Sequence, residues 1–446
     1  MRIIIAGAGD VGFHLAKLLA IEEHDINIID IDTEKLQYIS NHLDVNTIRG
    51  NSTSFKILEE AKISKVDLLI TVTESESTNI STAIIGKNLG AKKTIARISN
   101  TEFLHKKDVL NLKDIGIDEI ISPESLAAKE IKRLLKDTAL TDAFEFEKGI
   151  LSLVGVTIDE DSELLNQSLA DTAYLNPERN FNTVAILRDN ETIIPHGENI
   201  FKLNDHAYFI TQPDGMERVR SLSGKTRTDV KNMMILGGSK IGIQTAMQLS
   251  NKYKIKLIEQ DKEKCFELAD KLENTLIING DGRDLDLLQE EGIQNMDAFI
   301  AVTGNSETNI ISSLVAKDNN VKKTIALVEN IDYIHLSQNI GVDTMINKKL
   351  IAASFIFRHI RKGEVLNLTN VHGVDGEILE FEVKPKSKIL DVAIKDLQFP
   401  RAAIIGGVIR NNKGITVRGN FVFQEKDRVV VLSKPECIHT VEGFFK

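Results

Sequence analysis

Short unbroken apolar runs alternate with stretches of helical periodicity over much of this chain. RIIIA (2–6), INIID (26–30), LLITVTE (68–74) and TIAR (94–97) are short, rich in β-branched residues and largely apolar, as strands buried on both faces are. VGFHLAKLLA (11–20), between the first two, carries its apolar residues at helical spacing. Alternating strand and helix predicts a parallel sheet with crossover helices. The texture then changes to β-branched runs broken by Gly, Asn and Asp, which predicts small β-rich pieces with tight turns.

This order occurs twice. Residues 66–80 read VDLLITVTESESTNI and residues 296–310 read MDAFIAVTGNSETNI, a shift of 230 positions that also sets KKTIAR (92–97) on KKTIAL (322–327). A shift of 225 then aligns DIGIDEII (114–121) with NIGVDTMI (339–346). The β-rich pieces repeat as well, with Gly197 on Gly419 and Asp205 on Asp427. The predicted organisation is an α/β domain at 1–138, a β-rich domain at 139–222, a polar linker at 223–230, a second α/β domain at 231–362 and a second β-rich domain at 363–446.

The best-defined motif opens the chain. Gly7-Ala8-Gly9-Asp10-Val11-Gly12 is GxGxxG between a strand and a helix, and the next strand ends on Asp30. That context predicts a Rossmann-like dinucleotide site: glycines for the tight turn and the approach of a pyrophosphate, helix amides for its oxygens, and an acidic residue for the ribose hydroxyls. The Asp30 carboxylate repels a 2′-phosphate and so favours NAD over NADP. The alternative role for the glycines is close helix–strand packing. Strands also end at Thr73-Glu74 and at Arg97, where ligands lie in such sheets. Arg97 faces Leu327 in the second copy, so it is read either as a phosphate or adenine partner or as half of a surface ion pair. Asp10 either disfavours a triphosphate or points to solvent.

The second copy reads Gly237-Gly238-Ser239-Lys240-Ile241-Gly242, with Glu259 in place of Asp30. Serine for the middle glycine and leucine for arginine predict a weaker site, or one for something smaller.

Composition narrows the function. The 446-residue chain carries a net charge of −10, which disfavours nucleic acid and anionic lipid as partners. No apolar run approaches the about 20 residues that cross a bilayer, which predicts a cytosolic chain. Cys265 and Cys437 are far apart and outside any CxxC, which predicts two buried thiols and no metal site. KRLLKD (132–137) and FRHIRKGE (357–364) read as solvated helix faces. His196, His206, His372 and His439 do not match between copies and read as surface residues. GxSxG, HExxH and Walker A motifs are absent, so no catalytic residues are assigned.

GAGDVG with Asp30, the VTESESTN strand end, IAR and IGIDEIISPESLAA, each followed by a β-rich domain and all repeated, resemble the TrkA family: tandem RCK regulators of Trk-type potassium uptake. The resemblance spans essentially the whole chain. It implies that each unit is a Rossmann-like RCK N-terminal domain followed by a small α+β C-terminal domain for a ligand or for dimerisation. It implies NAD, with ATP or ADP as the alternative, bound at Gly7 to Val11, Asp30, Thr73, Glu74 and Arg97, and in the second unit at Gly237 to Ile241 and Glu259. It further implies a homotetrameric ring held on the inner face of the plasma membrane by a potassium-translocating subunit of the TrkH or TrkG type. IIGKNLG (84–90) and LAAKEIKRLL (126–135) are candidate faces for pairing units, or plain core. The alternatives are a Ktr-type regulator, an NAD-dependent oxidoreductase, which needs a substrate domain the sequence does not display, and a redox-sensing transcription factor, which needs a DNA-reading helix ahead of the first strand.

Overall fold

The structure is a computed structural model that describes all residues except 21–23, 101, 106–110, 137–139, 190, 225–228, 331–332, 334–340, 361–365 and 371–373. Half of the predicted linker, the end of FRHIRKGE and His372 therefore lie outside the described residues.

The first sheet is parallel and built from β1 (Arg2–Ala6), β2 (Asp25–Asp30), β3 (Asn46–Arg49), β4 (Leu68–Thr71), β5 (Lys93–Arg97) and β6 (Glu119–Ile121), in the order β3-β2-β1-β4-β5-β6. The helices are α1 (Asp10–Ala20), α2 (Thr33–His42), α3 (Phe55–Glu60), α4 (Glu76–Asn88), α5 (Glu102–His105) and α6 (Pro123–Leu134). Ile3, Ile4 and Ile5 are fully buried, which is why β1 has no polar position after Arg2. Strand order reverses between β1 and β4, so a crevice opens beyond their carboxyl ends, next to the glycine turn.

A five-stranded antiparallel sheet follows, made of β7 (Asp142–Phe146), β8 (Leu151–Thr157), β9 (Phe181–Arg188), β10 (Glu191–Ile193) and β11 (His206–Thr211), in the order β10-β9-β11-β8-β7, with α7 (Pro213–Leu222). Both architectures then recur. The second parallel sheet comprises β12 (Asn232–Leu236), β13 (Lys254–Glu259), β14 (Thr275–Asn279), β15 (Ala298–Ala301), β16 (Lys323–Leu327) and β17 (Thr344–Ile346), ordered β14-β13-β12-β15-β16-β17. Its helices are α8 (Lys240–Leu249), α9 (Lys262–Lys271), α10 (Leu285–Glu290), α11 (Ser306–Asp318) and α12 (Lys348–Ile360). The second antiparallel sheet comprises β18 (Asn367–Asn370), β19 (Glu377–Glu382), β20 (Ala403–Arg410), β21 (Lys413–Ile415) and β22 (Arg428–Ser433), followed by α13 (Ile438–Phe445).

The chain forms two compact units, and they do not follow the repeat: one is Met1–Lys129 with Asn347–Ile360, the other Glu130–Ile346 with Arg361–Lys446. In the first, α12 packs along α1 although it comes from the second repeat. Its Ala352, Ala353, Ile356 and Phe357 are buried.

In the second unit the two β-rich sheets share one core, with Leu151, Val184 and Ile210 of one against Ile378, Val430 and Leu432 of the other. Gly406 sits at the closest approach, where a Cβ would come within 2.5 Å of Ile210 Cγ1. Asn182 Nδ2 donates across to the carbonyls of Gly406 (2.9 Å) and Val417 (3.2 Å). The paired Asp205 and Asp427 have a structural explanation. Each is a fully buried carboxylate gripped at two points by an arginine, Arg188 (both 2.7 Å) and Arg410 (2.7 and 2.6 Å), and by a backbone amide of its own turn.

Three expectations change, and one open alternative is resolved. Cys265 is buried, but Cys437 is partly exposed because it precedes the first residue of α13 at the chain end. His206 is half-buried rather than at the surface, since it opens the central strand β11; burial lowers its pKa to about 4, against the pull of Asp142 and Asp205. Arg133, in KRLLKD, is turned inward to Glu130 and to Asp142, 3.7 Å away, rather than solvated. In LAAKEIKRLL, Ala127, Ala128, Ile131 and Leu134 are core.

Candidate functional site: the glycine turns beyond the parallel sheets

In the first sheet β1 delivers the chain into the turn at Gly7, whose φ of +117° suits glycine, and a Cβ there would lie 2.8 Å from the Thr73 amide nitrogen. At Gly12 a Cβ would meet the Gly7 carbonyl oxygen at 1.9 Å, so the third glycine lets α1 start against the turn. Gly9 differs from both. A Cβ at Gly9 would meet nothing within 4 Å, so the absence of a side chain there leaves open space in front of the N-terminus of α1 rather than relieving a clash. Packing accounts for the first and third glycines and not for the second.

Asp30 ends β2 beside this space. Its carboxylate accepts from the Ala8 amide at 2.6 Å and from the Asp32 amide at 2.9 Å, which holds it against the turn. Thr73, beyond β4, is fixed by Asn79, whose Oδ1 accepts from the Thr73 amide (2.8 Å) and hydroxyl (2.7 Å). Asn79 Nδ2 donates to the carbonyls of Thr73 and Arg97, both at 3.0 Å, so one buried side chain ties the ends of β4 and β5 together. Glu74 is exposed and stands 3.8 Å from Lys35 Nζ. Val11 is buried, and Asp10, the first residue of α1, is largely exposed and paired with Lys349 Nζ at 2.5 Å.

Arg97 is only partly exposed. Its Nη2 lies 3.8 Å from Glu124 Oε1, and both side chains are mostly buried. Glu124 Oε2 is buried without a hydrogen-bond partner, an unmet acceptor at the crevice end of the sheet.

The second turn repeats the backbone and changes the side chains. Gly237 has φ +103°, and Gly238 donates its amide to Glu259 at 3.0 Å, as Ala8 does to Asp30. Asn309 repeats Asn79, with its Oδ1 on Thr303 and its Nδ2 on the carbonyls of Thr303 and Leu327. Ser239, however, uses its hydroxyl at home: it donates to the Val302 carbonyl (2.6 Å) and accepts from the Gly242 amide (3.3 Å). One α8 amide is therefore already occupied. Lys240 is exposed and Ile241 buried.

Glu259 is occupied too, since Lys264 Nζ donates to it at 2.7 Å. Burial alone would raise the Glu259 carboxyl, but Lys264 with the Asp261 and Gly238 amides holds it below its usual range. Lys264 corresponds to Lys35. In the first copy that lysine has Glu74 beside it, whereas the second copy has Gly304 at that place.

The comparisons with known proteins agree with this geometry. The TrkA-N domain family matches residues 3–123 and again 233–348, and the TrkA-C domain family matches 153–224 and 378–446. The chain belongs to the TrkA family. The Trk system potassium uptake protein TrkA of Haemophilus influenzae is 33% identical over 100% of this chain and 99% of its own length. TrkA homolog 1 of Methanosarcina mazei is 32% identical over the full length of both. Among solved structures, the GsuK RCK domain superposes with a TM-score of 0.61 at 13% identity, covering 100% of this chain and 94% of its own. The GsuK channel bound to NAD gives 0.60, also at 13%, covering 100% of this chain and 78% of its own. At that identity these likenesses establish the fold.

The full-length relatives are named as potassium uptake proteins, and the oxidoreductase reading is set aside. Among the described residues no helix is long and apolar enough to cross a membrane, and no cluster of His, Cys, Asp and Glu could hold a metal ion.

Four residues in contact with the turns and strand ends escape motif reading: Asn79, Glu124, Lys264 and Lys349. The repeat held the signal for each, since Asn79 is kept as Asn309, Glu124 faces Lys349, and Lys264 has lost the glutamate its counterpart stands beside.

Proposed function

We propose that this chain is the nucleotide-sensing regulatory subunit of a Trk-type potassium uptake system. NAD or NADH, with ADP and ATP as weaker competitors, binds beyond β1 and β4. The Gly9 space and the α1 amides take the pyrophosphate and Asp30 takes the ribose. Thr73 and Glu74 line the crevice, and Arg97 with Glu124 closes it. The carrying observation is the open space at Gly9 in front of α1, between a turn that needs its other glycines for backbone reasons and a carboxylate held against that turn. The second site, at Gly237 to Ile241 and Glu259, is the weaker one.

The protein acts by differential binding: a nucleotide shifts an assembly only as far as it prefers one arrangement over another, about 1–3 kcal/mol for a coupled site. The assembly is a homotetrameric ring docked in the cytoplasm on the inner face of the plasma membrane against a potassium-translocating TrkH- or TrkG-like subunit. NADH titrated into the full chain, with Gly9→Val to fill the open space, tests the reading. Saturable binding that Gly9→Val reduces to the weak residual binding of the second site supports it, and equal binding by both proteins refutes the site.

A further inference from the structure

We propose that Lys349, a residue of the second repeat, is the phosphate-binding cation of the first repeat's nucleotide site, and that Asp10 is its partner when no phosphate is present. This rests on the nucleotide reading above.

Lys349 is the second residue of α12, and its backbone is fixed: the buried Asn347 caps the helix, its Oδ1 accepting from the Lys349 amide at 2.9 Å and the Leu350 amide at 3.1 Å. From there Nζ reaches Asp10 Oδ2 at 2.5 Å. Asp10 directly follows Gly9 and opens α1, so the ammonium stands at the mouth of the open space. Asp10 by itself is a poor neighbour for phosphate, since a carboxylate at that point repels the arriving charge. A lysine beside it cancels that charge and adds donors. With three donors and no planar geometry to satisfy, an ammonium can hold a carboxylate and a phosphate oxygen together.

The repeat supplies an independent observation. The shift of 225 that aligns the ends of the two parallel sheets places Lys349 on Glu124. In the first repeat Glu124 pairs with Arg97; in the second, Arg97 has become Leu327. Both members of the pair changed together. Leucine at 327 removed the cation that a glutamate at 349 would have answered, and position 349 carries the opposite charge, directed at the other repeat's turn. The first site is thus completed by the second half of the chain, and phosphate occupancy is felt at the start of α12.

The test uses the full chain, with adenosine, ADP, ATP and NADH as titrants for wild type, Lys349→Gln, Lys349→Arg and Asp10→Asn. A charge-assisted hydrogen bond predicts that Lys349→Gln weakens ADP and ATP by about tenfold or more and steepens no response to salt. Adenosine affinity should stay unchanged, Lys349→Arg should retain most of the binding, and Asp10→Asn should bind ATP more tightly than wild type. Equal losses for adenosine and ATP would mean that Lys349 only seats α12 on α1, and would overturn the inference while leaving the nucleotide site standing. Unchanged ATP and ADP binding in Lys349→Gln would do the same. Wild-type protein that binds none of the four would overturn the site and the inference together.

Discussion

Lys264 rests on Glu259, its ammonium 2.7 Å from the carboxylate that the second glycine turn would offer to a ribose. The second repeat therefore satisfies its own acceptor with its own cation. A ligand there must displace a partly buried ion pair before it gains a hydrogen bond, a heavier handicap than the serine at 239 imposes.

Removing that cation should open the second site. In a Gly9→Val background that silences the first site, Lys264→Ala is expected to raise residual NAD affinity several-fold, in keeping with one charge-assisted hydrogen bond no longer displaced. Calorimetry reads this directly, and no gain would mean that Glu259 does not receive a ribose.

Asp30→Ala should weaken NADH binding by about tenfold or more, because the ribose loses a charged acceptor. Asp30 also ties down the Ala8 and Asp32 amides, so Asp30→Asn is the useful companion. Asparagine keeps an acceptor without the charge and should discriminate less between NADH and NADPH. A ratio of NADH to NADPH affinity that is the same in wild type and Asp30→Asn would contradict the ribose assignment.

Arg97→Leu should reduce stability as well as binding. It leaves the Glu124 carboxylate mostly buried without its cation, at a cost of about 1–3 kcal/mol. Adding Glu124→Gln removes the charge left without its cation and should recover much of that loss. Thermal unfolding of the single and double variants tests this, and a double variant less stable than Arg97→Leu would show that the two positions are not coupled.

Acid should destabilise the folded chain earlier than its carboxylates alone dictate. His14 and His206 are both held to a pKa of about 4 in the folded state, mainly by burial, with Lys17 adding to the effect at His14. The unfolded chain takes up these protons near pH 6.5, so between about 6.5 and 4 it binds more protons than the folded form and stability falls as pH falls, by at most about 1.4 kcal/mol per pH unit for each histidine. Above pH 7 neither contributes a slope. Unfolding midpoints at pH 7.5, 6 and 5 should decline, and His206→Gln should flatten the decline; an unchanged profile would rule out His206 as a source.

Much of this was legible in the sequence because duplication printed it twice. Apolar runs with no polar break at Ile3 to Ile5 and Met233 to Leu236 can only be strands covered on both faces, and the strand–turn–helix context of Gly7 to Gly12 fixed the site's backbone. What stayed hidden were pairings between residues distant along the chain. Nothing in local spacing directs Lys349 to Asp10 or Arg97 to Glu124, because the sheet order and the placement of α12 decide those contacts. His206 misled for a related reason: without a counterpart in the other copy it read as a surface residue, whereas β11, which it opens, lies in the middle of its sheet.

The shared core of the two β-rich domains has a consequence for stoichiometry. In a protein of one repeat, a sheet face carrying Leu151, Val184 and Ile210 would have to find a second molecule, and its coverage would depend on concentration. Fusing the copies makes that encounter intramolecular, so the pair is always complete and dilution cannot separate it. It also frees each half from serving as its own mirror image. Gly406 can be small where its counterpart Val184 is large, and one glycine turn can specialise while the other drifts, because no symmetry forces a change in one copy upon the other. A chain cut between the repeats would expose that face on both fragments, and they should re-associate with each other or aggregate rather than persist as monomers.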